Sequence, residues 1–357
     1  MTPAVGLRPK RPRTSAKSLV ACCPSMSRPT CEDSRQAASR EAPGSNPLSE
    51  PVKVLARVER VPPTLQEILG ISADGLDVER TDPVRHHAPV LPKVERVHIY
   101  LSGLDLSIEV DAFRNAISDQ PWAQGHVVVD NDLFALLRAG TSERDAVAVV
   151  CGTGINCIGV RADGAVVRYG SLGMISGDWG GGFALGEWAL WHAARGEDGR
   201  GPETALRQEV PRALGLTNIQ EVTEALHFGR LTRSSLARLS PVVFAASAAG
   251  DGVAASIVDR QAQEIVTLAV NTMRRLELTA RSIPVVIGGG VIAGRDPRLL
   301  EGIYRGLTDA APHAHIKIVS SPPILGAALL ALEASDATES ALATARAALS
   351  VEIMAIH

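Results

Sequence analysis

No apolar run in this chain approaches the roughly 18 residues that a membrane-spanning helix needs, so the sequence reads as that of a soluble protein. Cysteine is scarce and odd in number. Cys22, Cys23 and Cys31 lie near the N-terminus, Cys151 and Cys157 flank a glycine loop, and neither zinc spacing nor a disulfide framework emerges. That usage fits a reducing, cytoplasmic setting. Charge of one sign is lacking too. A formal net charge of -3 at pH 7 leaves no footprint for nucleic acid and no acidic substrate channel. There is no secretory apolar segment, and the basic stretch before Glu32 lacks the amphipathic stripe of a transit peptide.

What is present is organised around Val149 to Gly186. Val147, Val149 and Val150 make a β-branched run of the kind expected in a buried strand. It stops at Cys151-Gly152-Thr153-Gly154, where glycines let the backbone take positive φ and turn successive N–H groups toward an anion, and Thr153 adds a hydroxyl. Ile155 to Val160 resumes an extended pattern, Asp163-Gly164 supplies a two-residue turn, and Ala165 to Tyr169 returns. The loop therefore joins two strands. The dinucleotide fingerprint and the P-loop each open a helix after their glycines, and both are excluded. Taken alone, the Gly-Thr-Gly reads first as an ordinary tight turn, and its company in this chain reverses that.

At 357 residues the chain is long enough for two substantial cores. Residues 1–50 sustain neither helical nor strand periodicity and are expected to be disordered. Strands are expected over Val97–Leu101 and His126–Asp130. The second runs into Asn131-Asp132 and a helix from Leu133 to Ala139 that stops at Gly140. A carboxylate there points into the crevice where open α/β sheets bind ligands, or else caps the helix. Downstream come Gly173, Gly177-Asp178-Trp179 and Gly180-Gly181-Gly182, a triple glycine suited to close approach or to a hinge. Helices are expected over Asp111–Ile117, Phe183–Arg195, Glu203–Val210, Ile219–Leu226, Val242–Ala249 and Ala254–Leu278. A buried strand, Val285–Ile287, ends in Gly288-Gly289-Gly290-Val291. A last strand, Ile316–Val319, precedes a helix opening near Pro322 and an Ala-rich tail, Ser340–Ile356.

Cys151-Gly152-Thr153-Gly154-Ile155-Asn156-Cys157 followed by Gly177-Asp178-Trp179-Gly180 resembles the N-acetylglucosamine kinase family, which belongs with the BadF/BadG/BcrA/BcrD-type ATPases. The preceding VVVDNDLFALLRAG, the Gly288 to Val291 loop and the Pro322 to Ala327 helix start are similar to that family's elements in the same order. The resemblance implies an α/β, two-lobed actin-like ATPase (ribonuclease H-like) fold with a ligand cleft between the lobes. Residues 51–142 would form an incomplete N-terminal lobe, 143–335 the nucleotide- and sugar-binding lobe, and 336–357 a helix or tail. ATP and Mg2+ are the implied cofactors. A small amino sugar phosphorylated on its 6-hydroxyl is the implied partner, without nucleic acid or membrane, and a homodimer is a candidate assembly.

By the same resemblance Asp132 is the catalytic base, with Asp130 as the alternative. Gly152, Thr153 and Gly154 hold the phosphates, Asn156, Gly173 and Asp178 the sugar, and Gly288, Gly289, Gly290 and Val291 the adenosine. Trp179 either stacks on the sugar or belongs to the core, and His192 is structural. The family's Asp-Gly-Gly-x-x-Lys-Thr type loop, which carries magnesium and the terminal phosphates, is missing from this sequence, so no metal ligand is assigned. The corresponding expectation is a first hairpin replaced by unrelated sequence, with impaired turnover. Two other functions stay open. One is an activator ATPase of the benzoyl-CoA reductase or 2-hydroxyacyl-CoA dehydratase type, with an iron–sulfur cluster on cysteines such as Cys151 and Cys157. The other is a non-catalytic sugar- or nucleotide-binding protein.

Overall fold

The structure, a computed structural model, describes residues 96–319, 321 and 323–354; the expectations for residues 1–95 lie outside it. A first unit comprises β1 (Arg96–Leu101), α1 (Ser107–Ile117), β2 (His126–Asn131) and α2 (Asp132–Gly140). An antiparallel meander follows, β3 (Ala146–Cys151), β4 (Ile155–Val160) and β5 (Val166–Arg168). Five helices come next: α3 (Gly181–Glu197), α4 (Leu206–Ala213), α5 (Ile219–His227), α6 (Ser240–Ala248) and α7 (Gly252–Arg275). The chain continues through β6 (Pro284–Gly288), α8 (Gly290–Ala293), α9 (Pro297–Ala310), β7 (His315–Ile318), α10 (Pro323–Glu333) and α11 (Glu339–Met354).

The main sheet has five strands in the order β5-β4-β3-β6-β7. β3, β4 and β5 pair antiparallel, whereas β6 runs parallel to β3 and β7 parallel to β6. Strand periodicity divides β3 between two layers. Val147, Val149 and Cys151 enter the larger core, and Ala146 and Ala148 face Leu133, Leu136 and Leu137 of α2. The larger core is closed by α7, whose buried positions, among them Ile257, Gln261, Ile265, Ala269 and Met273, recur at helical spacing. Each such aliphatic side chain contributes about 1.5–3 kcal/mol on full burial. Asp251 starts this helix by accepting the Ala254 N–H at 2.8 Å.

The second sheet is a parallel pair, β1 and β2, in register from Arg96↔His126 to Leu101↔Asn131. Leu104, Val110, Phe113, Ile117 and Val129 form its small core. Its pattern of parallel strand, crossover, parallel strand and helix is repeated by β6, α9, β7 and α10. The two closing helices, α2 and α10, are tied by Arg138 on Glu333, with Nε 2.9 Å from both carboxylate oxygens. Among the described residues β1 has β2 as its sole ladder partner, while β6 lies between β3 and β7. Consequently β6 is buried throughout and β1 is half-buried.

Two helix starts differ from the sequence reading by three residues or more. α1 begins at Ser107 rather than Asp111, because Glu109 Oε2 accepts the N–H groups of Asp105 and Leu106 at 2.9 Å. α4 begins at Leu206 rather than Glu203. Thr204 and Ala205 donate instead to Asp251 Oδ2, at 2.8 and 2.6 Å. Among the described residues no single helix is long and apolar enough to cross a membrane.

Candidate functional site

The C-terminal ends of parallel strands gather the candidate residues, as the crevice rule for open α/β sheets anticipates. β3 ends in the Cys151–Gly154 loop and its neighbour β6 ends at Gly288, passing through Gly289 into Gly290 and Val291 at the start of α8, with Val150 opposite Gly288. Gly289 makes the join possible. At φ +102 its backbone lies so close to β3 that a Cβ would sit 2.4 Å from the Cys151 carbonyl oxygen. The Cys151–Gly154 loop closes on itself through the Gly152 N–H to Gly154 O, 2.9 Å. That N–H therefore points inward, and Thr153 and Gly154 form the exposed part of the loop.

The same loop receives the start of α3. Gly182 donates to Gly152 O at 2.7 Å and Phe183 to Thr153 O at 2.9 Å. Gly181, at φ +78, leaves no room for a side chain: a Cβ would lie 2.4 Å from the Gly154 carbonyl carbon. The triple glycine thus serves close approach. Just upstream, Asp178 donates its backbone N–H to Gly173 O at 3.0 Å, and its carboxylate accepts from the Ser176 hydroxyl. Ser171 Oγ donates to Ile155 O at 3.0 Å, so the turn holding Gly173 and Asp178 is fastened beside the glycine loop. Trp179 is only 5% exposed and belongs to the core.

From the other sheet, Asn131 rather than Asp132 caps α2, accepting the Leu133 N–H at 3.0 Å. Asp132, next in the chain, keeps its carboxyl in the first helical turn. Burial, then the nearby Asp105 charge, pushes that carboxyl up from 3.8 to about 6, against the lowering effect of the Asp132 and Leu133 backbone N–H groups. Asp105 also joins the two sheets. Its Oδ1 accepts Asn131 Nδ2 at 3.0 Å and, from β4, Asn156 Nδ2 at 3.1 Å. A second bridge runs beside it. Arg168 of β5 donates to Asp130 Oδ1 at 2.8 Å and to Leu104 O at 3.0 Å, so Asp130 is occupied by an ion pair. Asp105, Leu106, Ser107, Arg168, Tyr169 and Gly170 line a cavity of about 310 Å3 next to these bridges. A larger cavity of about 440 Å3, between α4 and α6, is apolar and has none of these groups in its wall.

The structure thus bridges Asn131 and Asn156 through Asp105, whose charge Asp132 feels, and joins the Asp178 turn to the glycine loop through Gly181. Sequence reasoning did not identify Asp105 as the hub or Arg168 as its companion. Asn131 had a legible signal as a preferred cap residue; the Arg168 bridge had none, because its partners lie 38 and 64 residues away in sequence.

Residues 31–331 match the model of the BadF/BadG/BcrA/BcrD ATPase family. The chain belongs to that family. Among curated relatives, an N-acetyl-D-glucosamine kinase of Dictyostelium discoideum is 30% identical over 236 residues, 65% of this chain and 73% of the relative. An N-acetylmuramic acid/N-acetylglucosamine kinase of Clostridium acetobutylicum is 29% identical over 168 residues, 47% of this chain and 55% of the relative. The chain therefore spans about half of the clostridial enzyme's length. A Chromobacterium violaceum protein solved as a candidate N-acetylglucosamine kinase superposes with a TM-score of 0.51 at 22% identity, over 65% of this chain and 75% of that one. The likeness shows the fold: the BadF-type chain has the actin-like ATPase architecture, its five-stranded sheet in ribonuclease H-like order.

Two implied groups are tested by this BadF-type chain's own donors. Among the described residues no group of three or more His, Cys, Asp and Glu side chains could hold a metal ion, so they form no cage for Mg2+. Cys151 and Cys157 lie in the larger core, and burial pushes both thiols up to about 12. An iron–sulfur cluster takes four thiolates, and these two sulfurs are buried with no group of three or more candidate ligands among the described residues.

Proposed function

We propose that this chain transfers the γ-phosphoryl group of ATP to the 6-hydroxyl of N-acetylglucosamine or a closely related N-acetylamino sugar. One observation carries the reading: a buried carboxyl, Asp132, stands in the first turn of α2 with its pKa lifted to about 6, and its neighbour Asn131 is tied through Asp105 to Asn156 on the strand that leaves the glycine loop. A base poised near neutrality can take a proton from an alcohol as the oxygen attacks. The sugar hydroxyl gives its proton to an Asp132 carboxylate oxygen, the new O–P bond forms, and the bond to the β-phosphate oxygen breaks to release ADP.

Phosphoryl transfer asks mainly for positioning and charge stabilisation. Thr153 and Gly154, the exposed part of the loop after β3, would face the phosphates, with Gly152 shaping the loop. Gly288, Gly289, Gly290 and Val291 would receive the adenosine. Asn156, Gly173 and Asp178 would hold the sugar, and Asp178 suits hydroxyl donors because bonds to an ionised acceptor are the stronger ones. Mg2+ would come as the counter-ion of the ATP phosphates. A homodimer and a cytoplasmic place belong to the same reading; light scattering tests the first and fractionation the second. The names of the curated relatives support the sugar, and membership of an ATPase family supports the nucleotide.

The test is a mass-spectrometric assay of full-length protein with Mg-ATP and N-acetylglucosamine, beside Asp132→Asn. A product heavier by one phosphoryl group, absent with the variant, is expected. No product from the wild-type chain with any N-acetylamino sugar refutes the activity.

A further inference from the structure

The turn that carries Asp178 is poorly able to hold its own shape. Residues 173–177 are exposed, and Gly173, Gly177, Gly180 and Gly181 all take positive φ. Its internal bonds all fall within residues 172–178: Leu172 N–H to Ser176 Oγ at 2.7 Å, the Ser176 hydroxyl to Gly173 O at 3.1 Å or to the Asp178 carboxylate, Gly177 N–H to Met174 O at 3.3 Å, and Asp178 N–H to Gly173 O at 3.0 Å. A glycine-rich turn of this kind loses entropy when it is fixed, and a ligand bears that loss unless the protein has already met it.

Two neighbouring residues of α7 fix it from behind. The Arg260 guanidinium carbon lies 4.4 Å from the ring centroid of Trp179 and 4.3 Å from that of Trp188, while the two rings meet edge to face at 5.4 Å. Gln261, wholly buried, accepts the Gly181 N–H on Oε1 at 2.8 Å. Gln261 Nε2 and Trp179 Nε1 are buried with no hydrogen-bond partner. Such groups cost free energy, so maximal stability alone does not account for this arrangement. Charge acts in the same direction. Arg260 Nε is 3.9 Å from Glu264, and the Glu264 carboxyl, raised by burial and restrained by Arg260, also senses Asp178. Arg260 thus pairs with a carboxylate that feels the Asp178 charge.

We propose that Arg260 and Gln261 are positioning residues that hold the Asp178 turn in its sugar-receiving shape, setting sugar affinity without touching the sugar. This rests on the assignment of Asp178 to sugar binding. The guanidinium matters to it, since its delocalised charge reaches the rings of both Trp179 and Trp188, whereas a lysine ammonium keeps the charge but loses the planar contact.

Two measurements test the proposal together. Amide deuterium exchange of the ligand-free protein is compared for wild type, Arg260→Ala, Arg260→Lys and Gln261→Ala. Exchange across residues 171–183 should quicken roughly tenfold or more in the alanine variants and less in Arg260→Lys, with β6 and α8 unchanged. Steady-state kinetics should show the KM for N-acetylglucosamine raised about tenfold in Arg260→Ala and partly recovered in Arg260→Lys, with kcat and the KM for ATP within about twofold of wild type. Unchanged exchange over 171–183 overturns the proposal, whatever the sugar data. Equal losses of sugar and ATP affinity, alongside a lower Tm, would mean general destabilisation and overturn it too. If the exchange differences appear but the wild-type chain neither binds nor phosphorylates the sugar, the substrate assignment fails and the link to sugar affinity falls with it.

Discussion

Asp132→Asn removes a charge that the fold holds away from water, and its effect on stability can be worked from the site. Burial and the Asp105 charge lift the Asp132 carboxyl from 3.8 to about 6. At about 1.4 kcal/mol per pH unit, keeping it ionised at pH 7.5 costs ~3 kcal/mol relative to the unfolded chain. That figure is already net of the lowering by the Asp132 and Leu133 backbone N–H groups, so a gain of about 3 kcal/mol is expected of the variant. The sign follows from the raised pKa. The folded protein binds the extra proton more tightly, so stability from this group is fully present below about pH 4 and is lost as pH rises through about 6. Asp132→Asn should therefore raise Tm by roughly 6–12 °C at pH 7.5, and the difference should shrink toward zero at pH 4. Differential scanning calorimetry at the two pH values reads both. In the same variant kcat should fall about 100- to 10,000-fold, while wild-type kcat/KM should drop about tenfold per pH unit below about pH 6. A variant less stable than wild type at pH 7.5, or a gain of equal size at pH 4, would refute a strained ionised Asp132.

Gly289→Ala must accept φ +102 and a Cβ inside contact distance of the Cys151 carbonyl; a loss of about 2–4 kcal/mol by chemical denaturation is expected, with ATP affinity falling more than sugar affinity. Arg168→Ala breaks the ion pair to Asp130 and the bond to Leu104 O, and should cost about 1–2 kcal/mol. A double-mutant cycle with Asp130→Ala should give ~0.5–1 kcal/mol of coupling, and none would mean the bridge is idle in solution. Arg346→Ala takes away donors that reach Ala139 O at 2.8 Å and Arg138 O at 3.4 Å, at the C-terminus of α2. Thermal melts should show a loss of about 1 kcal/mol, and an unchanged Tm would count against α11 as a clasp.

The strands of the main sheet were legible because burial on both faces leaves a β-branched signature: Val147 to Val150 and Val285 to Ile287 can scarcely be read otherwise. α7 was equally plain from its repeating apolar positions. Boundaries were less so, since the starts of α1 and α4 are set by Glu109 and Asp251 bonding to backbone N–H groups outside the helices they precede or share. The triple glycine was ambiguous in composition. Only the crossing of α3 over Gly154 distinguishes close approach from a hinge. Least legible were the polar links, Asp105 to Asn156, Arg168 to Asp130 and Gln261 to Gly181, because each joins residues at least 38 positions apart. No local pattern encodes such a meeting.

The two sulfurs in the main core offer a gauge of how often the centre of this molecule comes apart. Burial pushes both thiols up to about 12, so the reactive thiolate of Cys151 or Cys157 is scarce at pH 7 while the β3–β4 hairpin stays in the sheet. An alkylating reagent then modifies them only in moments when the hairpin opens, and the modification rate counts those moments directly. Since the hairpin also carries the glycine loop, ligands that settle there should slow the count. Peptide-resolved alkylation would thus report occupancy of the cleft with no assay of turnover.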